Sequence, residues 1–167
     1  MAQNRAMTDE LRSQLVKLLR GTQAHMSFDD AMADFPAWAI NQRPPDVSYT
    51  PWHLVEHLRI TQWDMLRYIE DPTGHVSPDW PVGYWPDPAA ETDTAGFAQS
   101  VASFKADLRA MERIALDQSS DLTAVLDGTP GHTPLRGLMI IGNHNSYHLG
   151  EFASLRQVMG SWPEARE

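Results

Sequence analysis

Residues 50–70 read TPWHLVEHLRITQWDMLRYIE, and this stretch predicts the helix around which the rest of the chain is organised. Thr50 is a favourable N-cap residue, and Pro51 suits the first helical position because its missing N–H would have no partner there. Apolar residues recur at helical spacing through the whole stretch. Pro72 and Gly74 then indicate that the helix ends at residue 70.

Three segments outside this stretch also have the apolar spacing of long helices. We expect helices over residues 8–24, 94–116 and 134–159, the middle one capped by Thr94, and a short helical piece over residues 27–35. No run of β-branched residues has the length of a strand. Four long helices predict an all-α fold, a four-helix bundle.

The connector between the second and third long helices is rich in proline and aromatic residues. It covers residues 72–93 and contains Trp80, Tyr84 and Trp85. A connector of this length without helical period is usually functional or a linker, and its aromatic residues argue against a flexible linker. These rings either cover a site in the bundle or close the end of the bundle.

The composition narrows the class of protein. A length of 167 residues with 42% hydrophobic residues fits one domain, residues 1–167, with a packed core. The absence of cysteine excludes thiolate ligands, disulfides and a cysteine nucleophile. A net charge of −9 disfavours a nucleic-acid partner, and no apolar window is long enough to span a membrane. Because the first residues are polar, we expect no secretory signal and a cytoplasmic location.

Histidine spacing is the strongest functional signal in the chain. Two of the histidine pairs lie four residues apart, His53 with His57 and His144 with His148, where chance would give about 0.25 such pairs. Residues at this spacing project from one face of a helix, so each pair could chelate a divalent ion. Zinc or nickel leads the candidates, with iron or manganese as alternatives.

The pair on the last helix lies among apolar residues. A hydrogen-bonded structural pair is the alternative to a metal site, but two buried imidazoles without partners would be costly. A metal ion would satisfy both rings, so we favour His144 and His148 as ligands. The surrounding apolar residues are Ile140, Ile141, Leu149, Phe152 and Leu155.

The pair on the second helix has two interpretations. His53, Glu56 and His57 match H-x-x-E-H, the inverted zincin motif, in which Glu56 would be the general base of a metalloprotease. That interpretation leaves the other pair without a role. One histidine from this pair and both from the other would instead form a three-nitrogen site with an open coordination position. His57 lies one turn deeper in the helix than His53, which we expect at the rim.

Three blocks of sequence, taken in order, resemble the DinB-like (DinB/YfiT) superfamily. They are TPWHLVEHL at residues 50–58 with QWD at 62–64, GYWP at 83–86, and NHNSYHLGE at 143–151. The resemblance implies an up-down-down-up four-helix bundle that binds a divalent metal through His57, His144 and His148. It also implies a homodimer acting on a small-molecule substrate, as a metal-dependent hydrolase or as a transferase that uses a low-molecular-weight thiol.

Further side chains could orient the imidazoles or line the pocket: His53, Glu56, Asp64, Trp85 and Glu151. Glu151 follows His148 by three residues and is either a fourth ligand or a hydrogen-bond acceptor. Glu56 and Asp64 could orient an imidazole or act as a base, but we expect a solvated carboxylate at each. Tyr147 is expected to face away from the ligands. The remaining histidines, at positions 25, 75 and 132, are expected at the surface.

Two functions are compatible with such a site. In the first, the protein is a metal-dependent transferase or hydrolase in which the metal activates a bound thiol or water. In the second, it is a non-catalytic metal-binding or stress-response bundle, and the metal joins the second long helix to the fourth. The sequence leaves the choice between an enzyme and a structural metal protein open.

Overall fold

The computed structural model describes residues 2–163, and for residues 2–7 the backbone alone. The described chain is all-helical, without a strand, and four of its five α-helices are long, so the predicted all-α class is confirmed. The predicted domain bounds, 1–167, extend past the described residues at both ends. The α-helices are α1 (Ala2–Arg20), α2 (Phe28–Met32), α3 (Pro51–Glu70), α4 (Thr94–Leu116) and α5 (Pro134–Met159), and Ala37–Ala39 and Val82–Tyr84 form short 3-10 turns.

Both histidine-bearing helices, α3 and α5, have the predicted bounds. Each begins with a threonine N-cap followed by proline, Thr50 for α3 and Thr133 for α5. The Thr50 hydroxyl accepts the His53 N–H at 3.2 Å, which satisfies one of the free donors of the first turn. Gly160 ends α5 with a φ of 62°, in the left-handed region that favours glycine.

The bounds of α4 agree with the predicted range of 94–116, but its cap and the bounds of α1 and α2 differ from the predictions. The N-cap of α4 is Asp93 and not Thr94, because the Asp93 carboxylate accepts the Gly96 N–H at 2.7 Å. The first helix stops at Arg20 and not at residue 24, since Gly21 turns the chain with a φ of 69°. The short piece predicted over residues 27–35 is reduced to the five residues of α2.

The long helices surround a core that contains a polar layer. α3 packs against α4 and α5, and α1 packs against the same two helices. The fully buried Gln62 of α3 donates to the Phe104 carbonyl of α4 at 2.7 Å and accepts from Asn145 of α5 at 2.9 Å. Two apolar clusters make up the rest of the core, with Leu54, Leu58 and Phe152 in one, and Leu66, Met111 and Leu138 in the other.

The connector between α3 and α4 is held down on the bundle. Its Tyr84 hydroxyl donates to Asp64 of α3 at 2.7 Å. Further along, the Thr92 carbonyl accepts from Asn41, on the segment that precedes α3, at 2.7 Å. The connector is therefore an ordered cover and not a flexible linker.

Helix composition also bears on membrane insertion. None of the helices in the described part of the chain combines the length and the apolar character that a membrane span requires.

Candidate metal centre

Three imidazole nitrogens from two helices converge beneath the connector. His57 Nε2 lies 3.2 Å from His144 Nε2 and 3.3 Å from His148 Nε2, and the three ligand atoms are within 4.8 Å of one another. Ligands about 2.05 Å from a zinc ion at tetrahedral corners lie about 3.3 Å apart. The spacing of these nitrogens therefore fits three ligands of one metal ion.

Hydrogen bonds on the far side of two rings fix their tautomers. His57 Nδ1 lies 2.9 Å from the Tyr84 carbonyl, and His148 Nδ1 lies 2.6 Å from a Glu151 carboxylate oxygen. Both oxygens can only accept, so both Nδ1 atoms carry a proton, and in the neutral rings that bind a metal both Nε2 atoms then carry a lone pair. Two such lone pairs 3.3 Å apart cannot form a hydrogen bond with each other. A cation between them would remove this repulsion.

The third ring, that of His144, is held neutral by its surroundings. Its Nδ1 is buried and has no hydrogen-bond partner among the described residues. Burial, assisted by the neighbouring His148 and His57, lowers the pKa of His144 to about 4. Burial also lowers the pKa of His57. Neutral imidazole is the form that binds a metal, so these residues fit a divalent ion.

Trp85 covers one of the ligands. Its ring stacks on the His57 imidazole with 4.0 Å between ring centroids and 5° between the planes. Tyr84 contributes the carbonyl on His57, and burial together with the Asp64 hydrogen bond raises the pKa of its phenol to about 12. Trp80 is 78% exposed and packs edge-on against Tyr84. The three predicted aromatic residues thus have three different roles.

Glu151 is an acceptor and not a ligand in this arrangement. One of its oxygens accepts from His148, and the other accepts a short hydrogen bond from the Tyr49 hydroxyl. The hydrogen bond from His148 lowers the pKa of Glu151, so the carboxylate is charged at neutral pH. Burial raises the pKa of Tyr49, which keeps its hydroxyl as a donor. Of the two roles predicted for Glu151, the structure has the second.

His53 is buried, with 2% exposure, so the prediction that it lies at the rim was wrong. Its Nδ1 accepts from the Thr50 N–H at 3.3 Å and also lies 2.5 Å from the Thr50 hydroxyl. Its Nε2 donates to the Asp87 carbonyl at 3.0 Å. The connector covers this ring, and both nitrogens have partners, so His53 is not available as a ligand in this arrangement.

The carboxylates of Glu56 and Asp64 bond to side chains other than the three histidines. Glu56 binds Arg59 through two hydrogen bonds of 2.8 Å; burial opposes ionisation of Glu56, but Arg59 lowers its pKa overall. Asp64 is 8% exposed, and the prediction of a solvated carboxylate was wrong for it. Its oxygens accept from Tyr84 at 2.7 Å and pair with His75 Nε2 at 2.7 Å. Tyr84 links Asp64 to His57, since its hydroxyl donates to Asp64 and its carbonyl lies 2.9 Å from His57 Nδ1.

The remaining histidines also have side-chain partners. His25 lies 2.8 Å from the Ser146 hydroxyl, and His132 lies 2.7 Å from the Tyr68 hydroxyl. With His75 on Asp64, all three are partly buried, and the expectation of simple surface histidines was wrong. Tyr147 is 71% exposed, but its ring packs edge-on against the His148 ring with 4.9 Å between centroids, so the expectation that it faces away from the ligands was wrong.

Comparison with known proteins bears on the same residues. The family model described as DinB superfamily matches residues 9–152, a range that contains all three histidines and Glu151. Neither a curated protein nor a solved structure gives a significant match.

Proposed function

This chain belongs to the DinB superfamily, and we propose that it is a metal-dependent enzyme that binds one divalent ion through His57, His144 and His148. The observation that carries the proposal is the convergence of three imidazole nitrogens: His57 Nε2 lies 3.2 Å from His144 Nε2 and 3.3 Å from His148 Nε2, while Nδ1 of His57 and of His148 is held by an acceptor on the opposite side of its ring. Zinc or nickel suits three imidazoles best, and iron or manganese is the alternative.

A three-histidine cluster leaves room for an exogenous ligand. The cluster contains three donors from the described residues, and Glu151, the nearest carboxylate on α5, is already bonded to His148 and Tyr49. When bound, the metal would lower the pKa of a coordinated water or thiol toward neutrality. The chain has no cysteine, so a thiol would have to be a low-molecular-weight cosubstrate. The proposed reaction is therefore a thiol-dependent transfer or a hydrolysis.

The residues around the ligands would prepare the site for such a reaction. The Tyr84 carbonyl and the Glu151 carboxylate hold two rings in the ligand tautomer. The negative charge of Glu151 would partly offset the positive charge of the bound cation. Trp85 excludes water from one face of His57, and its indole edge offers an apolar contact to a small-molecule substrate.

A structural role for the metal is the second candidate. His57 lies on α3, and His144 and His148 lie on α5, so one ion would join two long helices. The candidate acids and bases Glu56 and Asp64 are paired with other side chains, which favours this alternative over an enzyme.

Metal content and metal accessibility test the two candidates. We expect gently purified protein to contain about one zinc or nickel ion per chain and the His57→Ala variant to lose it. In the cobalt-substituted protein, an enzyme with an open position should change its visible spectrum when a thiol or azide is added. A spectrum insensitive to every added ligand, with no turnover on thiol and electrophile panels, would favour the structural candidate. Protein without metal would refute both.

The proposal includes an up-down-down-up bundle formed by a single domain. Its support lies in side-chain pairs: Trp52 near the start of α3 bonds to Ser100 near the start of α4 at 3.3 Å, as parallel helices would allow. The partners of α1 move backward along α4 as α1 advances, as antiparallel helices would allow: Asp9 bonds to Gln118 at 2.9 Å, Arg12 to the Ala115 carbonyl at 2.8 Å, and Arg20 to Glu112 at 2.8 Å.

We also propose a homodimer formed through α5, in the cytoplasm and without a nucleic-acid partner. An excess of acidic residues, 22 against 13 basic ones, disfavours a polyanion. The outer side of α5 exposes several large apolar residues, which a second copy would cover. Light scattering should give about twice the chain mass of 18.8 kDa, and Tyr147→Asp should give the monomer. The exposed residues are Met139, Ile140, Tyr147 and Val158.

A further inference from the structure

Tyr49 lies outside the metal cluster, on the segment that leads into α3. It directly precedes Thr50, whose cap on the His53 N–H fixes where the helix starts. The Trp52 N–H donates to the Ile40 carbonyl at 3.1 Å, which holds the incoming segment against the helix start. The half-buried phenol is therefore placed at a defined position relative to His57, two turns further along.

The hydroxyl of Tyr49 reaches one of the ligands through Glu151. It donates to one carboxylate oxygen, and His148 Nδ1 donates to the other at 2.6 Å. Without Tyr49, that carboxylate would be free to turn about its terminal bond, because its torsion is broad and has two nearly equivalent orientations. With both oxygens engaged, its orientation toward His148 is fixed.

The ring of Tyr49 reaches a second ligand through Trp85. The two rings pack with centroids 5.3 Å apart at 42°, and Trp85 stacks on His57 at 4.0 Å. His148 lies on α5 and His57 on α3. Tyr49 therefore contacts the residues that hold ligands on two different helices, Glu151 and Trp85.

We propose that Tyr49 is a positioning residue of the metal centre, which holds the Glu151 carboxylate on His148 through its hydroxyl and Trp85 on His57 through its ring. This role rests on the proposed metal site and does not depend on the reaction carried out there. It predicts that the hydroxyl contributes to metal affinity only while Glu151 is present.

Zinc affinity of the full chain tests the proposal, measured by competition with a chromophoric chelator at pH 7.5. Tyr49→Phe keeps the ring and removes only the hydroxyl. Tyr68→Phe is the matched control, because it removes a hydroxyl that pairs with His132 at 2.7 Å, away from the cluster. Glu151→Ala and the double variant Tyr49→Phe/Glu151→Ala complete a double-mutant cycle. Melting of each metal-free variant shows whether the fold is retained.

We expect Glu151→Ala to weaken zinc binding about 10- to 100-fold, as removal of a partner of a ligating histidine usually does, and Tyr49→Phe to weaken it less, about 3- to 10-fold. Tyr68→Phe should bind zinc like the wild type. The double variant should bind like Glu151→Ala alone, because the hydroxyl then has no carboxylate to hold.

Equal affinities for Tyr49→Phe and Tyr68→Phe, or additive losses in the double variant, would each overturn the role of Tyr49 while leaving the metal site intact. A wild-type protein that binds neither zinc nor nickel would instead refute the proposed function, and this inference with it. A lower melting temperature of metal-free Tyr49→Phe without a change in zinc affinity would assign the hydroxyl to folding alone and would also overturn the proposal.

Discussion

The two histidines of α3 should respond differently to replacement by alanine, one variant losing stabilisation by zinc and the other losing stability without metal. His57 presents a lone pair to His144 and His148, whereas both nitrogens of His53 are bonded to Thr50 and Asp87. His57→Ala should therefore abolish most of the stabilisation by metal. His53→Ala should leave that stabilisation intact but destabilise the metal-free protein.

The expected size follows from linkage. Zinc at 100 times its dissociation constant stabilises the wild type by about 2.7 kcal/mol, which is a melting shift of about 5–11 °C for a chain of this size. Loss of one ligand of three should weaken binding at least as much as loss of an outer partner, about 100-fold. The same zinc concentration then stabilises His57→Ala by only about 0.4 kcal/mol, or about 1–2 °C.

His53→Ala provides the control on the same helix face. It removes a buried ring and leaves the Thr50 N–H and the Asp87 carbonyl without their partner, so we expect a loss of about 2–4 kcal/mol in the metal-free protein. Because the three ligands remain, zinc should still raise its melting temperature by about 5–11 °C.

The assay is thermal melting followed by circular dichroism, with each variant compared in chelator and in zinc. The difference within one variant cancels any change in its intrinsic stability. If zinc raised the melting temperature of His57→Ala as much as that of the wild type, the assignment of His57 as a ligand would be refuted. Loss of the shift in His53→Ala would instead support the inverted zincin arrangement with Glu56.

Three further measurements test other parts of the structure. The pKa of His144 is about 4 in the folded protein and lies below the ordinary 6.5, so the unfolded chain takes up the proton first. The metal-free protein should therefore lose up to about 1.4 kcal/mol of stability per pH unit as the pH falls from about 6.5 to about 4. Urea unfolding should show a shallower loss for His144→Gln, and equal slopes would contradict the shifted pKa. Gly142→Ala should destabilise by about 1–3 kcal/mol, because its Cβ would lie 2.7 Å from Leu18 Cγ. Gly150→Ala, with no atom within 4 Å of the new Cβ, should stabilise by about 0.5–1 kcal/mol, and urea unfolding of the two variants in the reverse order would refute this packing. Tyr84→Phe should cost about 1–2 kcal/mol by releasing Asp64 yet keep zinc affinity, since the carbonyl on His57 remains; a tenfold loss of affinity would show that the side chain itself supports the ligand.

Local signals explain which parts of the fold were predictable. α3 and α5 each begin at a Thr-Pro pair and end at a proline or glycine signal, so their bounds follow from a few neighbouring residues. Asp93 and Thr94 are both good caps, and local sequence does not decide between them. Gly21 ended α1 early because it adopts a left-handed conformation, which a glycine within a helical pattern signals only weakly.

The candidate ligands were predictable because residues four apart on one helix must share a face. Their supports were not, since they depend on the paths of two connectors. His53 is buried by Asp87, 34 positions away, and Glu151 is held by Tyr49, 102 positions away. A resemblance carried by short motifs points to the candidate ligands but contains no signal for such distant pairs. The one available sign was the position of Tyr49 beside the cap of the ligand-bearing helix.

The acceptor on His57 has a consequence for how this centre can vary over evolution. It is the main-chain carbonyl of Tyr84, which every amino acid at that position would supply. Drift in the side chains of the connector can therefore reshape the surface next to the ligands without removing the partner of His57. The acceptor on His148 is the Glu151 side chain, so a single substitution at position 151 can remove it. Side chains of the connector outside residues 83–86 should accordingly tolerate change at little cost to the proposed metal site.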